Sequence, residues 1–273
     1  MRFDSAVRMW SLSSGSSGNC YLLKEGNNLL LLEAGINMAR IQKEMAHLGA
    51  ALSQLIGVVV THEHGDHWQS ACPLSRKLKV PLVCSPGTLE AGQSSGPAAD
   101  AVAVRGGGET QIGPFRIQAF SQPHDARESL GFVVHAGGSS ICLATDMGAA
   151  TGEMVEHARR SDLVILEANH DVDMLTRGPY PAYLKSRILG DRGHLSNEAA
   201  GEALIKIADG RPRDFWLAHL SNTNNTPKRA MASVQQLLRK QGLGQVRVSV
   251  ALRDQRSLTW DSEFSQLEQL PLF

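Results

Sequence analysis

At 273 residues, 42% hydrophobic and 20% charged, the chain has ample apolar material for a core, which excludes a disordered or low-complexity polymer. Its 27 lysines and arginines balance 27 aspartates and glutamates, so no global field draws it to a polyanion and any nucleic-acid contact rests on a local patch. Four scattered cysteines with no Cys-x-x-Cys pair exclude a disulfide scaffold; Cys20, Cys72, Cys84 and Cys142 read as small buried apolar residues.

The chain opens with strands at 8–12, 20–24 and 29–33, separated by the Gly/Ser-rich segment 13–19 and the turn Glu25-Gly26-Asn27, which are hairpin signals. Met38, Ile41, Met45 and Leu48 recur at helical spacing, and an apolar strand at 55–60 follows. A helix at 68–78, a strand at 81–84 and a helix opening at Pro86 continue the alternation, with 94–99 a loop. Strands return at 101–104, 115–120, 130–135 and 140–145. A helix at 152–160 and a strand at 162–167 precede a polar stretch, 169–193, that contains a helix at 182–189. Ser196 is an N-cap signal for a helix through Ala208, with Glu198 in its first turn. A strand at 215–218, a helix at 227–240 and a strand at 245–250 lead to a short tail. A strand-rich unit followed by helices, loosely repeated in the second half, predicts two mixed sheets in an α/β (α+β) four-layer αββα sandwich. The first residues lack a basic segment followed by an apolar stretch, and no run approaches the roughly 20 apolar residues of a membrane span. No membrane partner and a cytoplasmic location are therefore expected.

The chemistry concentrates in Thr61-His62-Glu63-His64-Gly65-Asp66-His67, where three imidazoles and a carboxylate fall at the end of a buried strand. Such density of nitrogen and oxygen donors suits Zn2+ or Mn2+, and Fe2+ according to availability. His62 and His64 can point to the same side, and Gly65 permits the turn that brings Asp66 and His67 round, so two groups of donors on one loop point to two metals. Four donors cannot complete two sites. His124, Asp146 and His219 each follow an apolar strand at its C-terminal end, where ligands converge in α/β sheets. Singly each is an ordinary hydrogen-bonding residue; with the cluster they favour a binuclear site.

The pattern His62-x-His64-x-Asp66-His67, followed by His124, Asp146 and His219, resembles the five-motif signature of the metallo-β-lactamase superfamily. The resemblance spans nearly the whole chain and implies one domain over 1–273. It implies one metal held by His62, His64 and His124, a second by Asp66, His67 and His219, and Asp146 bridging them. Finer features are Ser13-Ser14-Gly15-Ser16-Ser17-Gly18-Asn19-Cys20, Ala168-Asn169-His170-Asp171, Gly178-Pro179-Tyr180-Pro181, Leu184-Lys185-Ser186-Arg187-Ile188-Leu189, Gly193-His194-Leu195-Ser196-Asn197 and Leu217-Ala218-His219-Leu220-Ser221. Together they are similar to the WalJ/YycJ group, which implies a 5′ to 3′ exonuclease acting on single- and double-stranded DNA. Glu33 departs from the Asp usual in the superfamily; the resemblance makes it a supporting residue, not a ligand, and a longer carboxylate there is expected to shift the supporting hydrogen bonds.

In a two-metal site a bridging water loses its proton near neutral pH and the resulting hydroxide attacks phosphorus in line. Asp66 is the natural acceptor of that proton, although service as a ligand alone fits equally. The leaving oxygen and neighbouring phosphates need positive charge or donors, and 169–197 supplies His170, Lys185, Arg187, Arg192, His194 and Ser196, so the substrate groove is expected there. His194 before an N-capped helix is either a donor beside a helix terminus or a loop-stabilising residue, and His170 carries the same pair of readings. Ser14, Ser16, Ser17 and Asn19 either cradle phosphate or make a Gly/Ser turn. DNA, as single strand or 5′ duplex ends, is the expected partner, favoured by the basic segments 177–192 and 211–240. Two alternatives stay open. An RNA-processing nuclease or a small-molecule ester or lactone hydrolase of the same fold would use the same donors, although the interval 146–219 is too short for the large inserted domain of the β-CASP relatives. A non-catalytic DNA-binding protein could retain the fold.

Overall fold

In the strand Asn28–Leu32 four successive leucines are fully buried because alternate side chains serve two cores. Leu30 and Leu32 join one apolar cluster, Leu29 and Leu31 another. The same division recurs in Leu163–Glu167, with Leu163 and Ile165 on one face and Val164 and Leu166 on the other. Strands buried on both faces need a layer on each side, and the chain supplies them as helix, sheet, sheet and helix.

The structure is a computed structural model that describes residues 6–263 and the backbone of 268–269. The first half runs β1 (Val7–Ser13), β2 (Cys20–Glu25), β3 (Asn28–Leu32), α1 (Met38–His47), β4 (Leu55–Val59), α2 (Gly65–Trp68), α3 (Ala71–Leu78), β5 (Pro81–Cys84), α4 (Pro86–Ala91) and β6 (Asp100–Ala103). The second runs β7 (Glu109–Ile112), β8 (Phe115–Ser121), β9 (Leu130–Ala136), β10 (Ser139–Ala144), α5 (Gly152–Arg159), β11 (Leu163–Glu167), α6 (Val172–Arg177), α7 (Ala182–Leu189), α8 (Asn197–Ile207), β12 (Asp214–Ala218), α9 (Pro227–Lys240) and β13 (Arg247–Val250). Two further strands, β14 (Leu258–Asp261) and β15 (Glu268–Gln269), return to the first sheet, whose order is β15-β14-β1-β2-β3-β4-β5-β6; the second sheet is β13-β12-β11-β10-β9-β8-β7. Each sheet joins antiparallel hairpins to a parallel half made of β3 to β6 or of β10 to β13. The parallel halves put several strand C-termini beside one another.

Four expectations need correction. The helix expected at 68–78 is interrupted, because Ser70 leaves helical geometry (φ −108°, ψ 0°) and its hydroxyl donates to the Ile36 carbonyl at 2.7 Å. The polar edge strand β7 lacks the apolar alternation that would have marked it, and α6 opens on an Asp171 cap inside the stretch expected to hold only one helix. The tail is not merely a tail: β14 pairs antiparallel with β1, and buried Trp260 donates its indole N–H to Asp214 of the other sheet at 2.9 Å. All four cysteines are buried and free. Among the described residues no helix is long and apolar enough to cross a membrane.

Candidate metal centre

β4 is followed by Thr61, whose hydroxyl lies 2.9 Å from His62 Nδ1 and so leaves Nε2 free to meet a cation. Short helix α2 then turns Asp66 and His67 back, and the chain passes close to Gly35. A Cβ at Gly35 would lie 1.6 Å from the Asp66 carbonyl oxygen, so only glycine allows this approach. Asn19 completes the clamp: its amide nitrogen donates to Asp66 O at 3.3 Å and lies 3.1 Å from His67 Nε2.

Three residues at strand ends adopt the left-handed conformation that non-glycine residues rarely accept: Glu33 (φ 63°), Asp146 (φ 62°) and His219 (φ 55°). Such backbone costs on the order of 1–3 kcal/mol per residue and persists only where its surroundings hold it. The holding contacts are visible: Glu33 N donates to Val59 O at 2.8 Å, and His219 N to the buried Ser14 hydroxyl at 2.9 Å.

These elements bring His62, His64, His67, His124, His219, Asp66 and Asp146 into one pit. Donor atoms of His62, His64 and His124 lie within 4.8 Å of one another, as do those of Asp66, His67 and His219, and those of His62, His67 and Asp146. His124 Nδ1 donates to Gly193 O at 3.1 Å, which turns Nε2 toward His64 Nδ1 at 3.3 Å. Fully buried His62 Nε2 has no hydrogen-bond partner. Ring nitrogens facing one another without an acceptor, beside buried carboxylates, fit a cation between them. Burial, reinforced by neighbouring imidazoles, pushes His62 and His124 down. Burial also opposes charge on His67 and His219, but Asp146 and the adjoining carboxylates outweigh it, raising His67 and holding His219 up at about 10. Asp146 stays well below the usual carboxylate range: burial resists ionisation, and His219 and His67 overcome it. Without a cation, protons on His67 and His219 would balance these carboxylates, and a bound cation would take their place.

The model of the Beta-lactamase superfamily domain matches residues 28–220. The chain belongs to the metallo-β-lactamase superfamily. Within it, the chain is 31% identical over 236 residues to Exodeoxyribonuclease YycJ of Bacillus anthracis, spanning 85% of this chain and 89% of that protein. It is 34% identical over 232 residues to Exodeoxyribonuclease WalJ of Streptococcus pneumoniae, spanning 83% and 86%. A solved metallo-β-lactamase fold protein, YhfI of Bacillus subtilis, superimposes with a TM-score of 0.72 at 16% identity, covering 94% of this chain and all of the other.

Glu33, where the superfamily usually has Asp, reaches the Thr61 amide at 3.3 Å and His67 Nδ1 at 3.3 Å, so the longer carboxylate still braces one imidazole and the loop's first residue, through long contacts. Sequence reasoning missed Glu167. Fully buried at the end of β11, its Oε2 accepts from Met147 N and Leu195 N at 3.0 Å, and its Oε1 lies 2.8 Å from His194 Nδ1 and 2.9 Å from His219 Nδ1. Burial favours the neutral acid, but His194 and His219 outweigh it and hold Glu167 down at about 2. In return, His194 is raised: burial opposes its charge and Glu167 overcomes that. An acid closing the apolar run Leu163-Val164-Ile165-Leu166 was the available signal, as at Asp146.

Beside the pit lies a cavity of about 180 Å3 lined by Ser16, Asp125, Tyr180, Arg187, His194 and Ser221 among others. Of the expected substrate contacts, Ser16, His194 and Arg187 are on this wall, Arg187 paired with Asp125. Four more are engaged elsewhere. Asn19 is fully buried and clamps the ligand loop. Ser196 accepts from Ala199 N at 3.1 Å as the cap of α8, and Lys185 Nζ donates to Thr176 O at 2.8 Å. Arg192 donates to His124 O at 2.8 and 3.0 Å, steadying a ligand-type residue. His170 is buried with both ring nitrogens unpartnered, and burial pushes it down to about 4, so it is neutral and does not reach the cavity wall.

Proposed function

We propose that the chain is a metal-dependent phosphodiesterase that degrades DNA from an end, with two divalent cations, Zn2+ or Mn2+ (Fe2+ suits the same donors), in the histidine pit. The observation that carries this reading is the convergence of His62, His64, His67, His124, His219, Asp66 and Asp146 in one buried pit. Support also comes from similarity, over most of the chain, to relatives named exodeoxyribonucleases. His62, His64 and His124 would hold one cation, Asp66, His67 and His219 the other, with Asp146 between. When bound, two such cations polarise a phosphate oxygen and make water a nucleophile near neutral pH.

The protein's own groups do the remaining work. Burial resists ionisation of Asp66, but His67 and His219 outweigh it and keep the carboxylate ionised, as both a cation ligand and an acceptor of the water's proton must be. His194, paired through Nδ1 to Glu167, keeps Nε2 as a donor for the leaving 3′-oxygen. Arg187 at the cavity wall supplies a planar cation for a phosphate once it exchanges Asp125 for substrate. The 5′ to 3′ direction rests on the resemblance of the sequence motifs alone.

The test is cleavage of single-stranded DNA labelled at either end by protein stripped of metal and reloaded with Mn2+ or Zn2+, beside His64→Ala. Metal-dependent release of nucleotides from the 5′ end, lost in the variant, is the expected result. Hydrolysis of a lactone or of RNA with DNA left intact would reassign the substrate, and DNA binding without any hydrolysis would make the fold a scaffold.

A further inference from the structure

The three large apolar side chains that stand exposed among the described residues, Val172, Tyr183 and Leu189, all fall on the arm formed by α6 and α7. No residue of α7 is buried, although the helix carries Tyr183, Leu184, Ile188 and Leu189. A helix that packs no side chain into a core keeps its apolar residues for something outside the fold. Tyr180, half-buried on the turn before α7, lines the cavity together with Leu184 and Ile188, while His194 lines the same cavity next to the metal pit. The cavity, at about 180 Å3, slightly exceeds the ~150 Å3 that holds a benzene-sized ring. That volume matches a single nucleobase more closely than a base pair.

Charge selects the occupant. Residues 172–192 carry Arg177, Lys185, Arg187 and Arg192 against Asp173 and Asp191, so the apolar side chains sit in a cationic setting. A second copy of the chain packed symmetrically on this arm would bring like charge against like charge. A single nucleic-acid strand offers what the arm lacks, flat apolar faces joined by phosphates.

We propose that the cavity takes the terminal base of a single DNA strand on Tyr180, while Tyr183 carries the neighbouring base outside. This rests on the DNA-degrading reading and adds which part of the strand is gripped. A cavity of single-base size beside the metal pit favours a base that leaves its stack at little cost, as the last base of a strand does, and gripping through the π-face makes it tolerant of sequence. Tyr180 acts as a positioning residue that sets the phosphate beside His194.

The test compares KM and kcat of the metal-loaded full chain on three single-stranded DNAs: intact, abasic at the 5′-terminal nucleotide, and abasic at the 3′-terminal one. The unaltered protein and Tyr180→Phe are expected to show KM about tenfold higher when the degraded end is abasic and unchanged when the other end is. Tyr180→Ala is expected to show the raised KM already on intact DNA and no further penalty on the abasic strand. An equal abasic penalty in Tyr180→Ala, or none in the unaltered protein, overturns the proposal, and the second comparison needs no variant to fold. Sedimentation of the unaltered protein as a dimer that Tyr183→Asp dissociates would assign the arm to a second copy and also overturn it. Failure of the unaltered protein to release any nucleotide would remove the nuclease reading itself, whereas release without an abasic effect removes this proposal alone.

Discussion

At the residue scale, the site is defined by which polar atoms have partners inside the protein and which are left for a cation. Glu167 holds both His194 and His219 through one oxygen and two amides through the other. Glu167→Gln keeps the shape and removes the charge, and groups that orient metal ligands typically cost about 10–100-fold in affinity when altered. Competition with a chromophoric chelator should record a loss of that size, with the circular dichroism unchanged; undiminished affinity would detach Glu167 from the site. The ligand-type residues were legible because so many imidazoles and carboxylates gathered at strand ends suit a cation and little else. Glu167 and Asn19 were not, because a sequence does not state what a buried polar side chain faces. Asn19 looked like a phosphate contact in a Gly/Ser turn, yet it is enclosed against the loop it steadies. Lys185 and Ser196 were likewise legible as polar, but not as already satisfied by Thr176 O and Ala199 N.

At the scale of elements, the site is a consequence of strand ends held in unfavourable backbone and of a loop pressed against Gly35. A Cβ there has nowhere to go but into the Asp66 carbonyl, so Gly35→Ala must displace the ligand loop. Overpacking of this kind costs about 1–3 kcal/mol; urea unfolding of metal-free protein should show a lower midpoint with the same slope, and metal affinity should fall with it. An unchanged midpoint and affinity would mean that the loop has slack. Helices α7 and α9 were legible to the residue because propensity and flanking prolines agree, and α9 adds a Thr226 cap. The break between α2 and α3 was not, because it depends on the Ser70 hydroxyl finding the distant Ile36 carbonyl. Strand β7 is too polar to announce itself, and β14 is defined by its pairing with β1 at the far end of the chain.

At the scale of the whole molecule, two sheets whose parallel halves end together create the pit, and zero net charge leaves attraction for a polyanion to local patches, of which the arm with Arg187 lies beside the cavity. Single-stranded DNA affinity should therefore fall with salt at a slope of about −0.7 per phosphate contacted, and Arg187→Ala should lower that slope by about one such contact. A slope that Arg187→Ala leaves unchanged would move the phosphate track elsewhere. In the metal-free protein, His67 and His219 hold protons against nearby carboxylates, His219 up to about 10. A cation must displace them, so metal binding should release protons and weaken as pH falls; identical metal affinity at pH 6 and pH 8 would contradict that charge balance.

The layered fold was readable from the order of strands and helices; the pit was readable from the types of residue at the strand ends. What remained hidden was the pairing of β1 with β14, which extends one sheet and places Trp260 against Asp214.

Everything proposed for this protein depends on the pit being a centre for two cations. Calorimetric titration of chelator-stripped protein with Zn2+ decides that point: two ions bound per chain with release of protons are expected, whereas one ion or none would refute it.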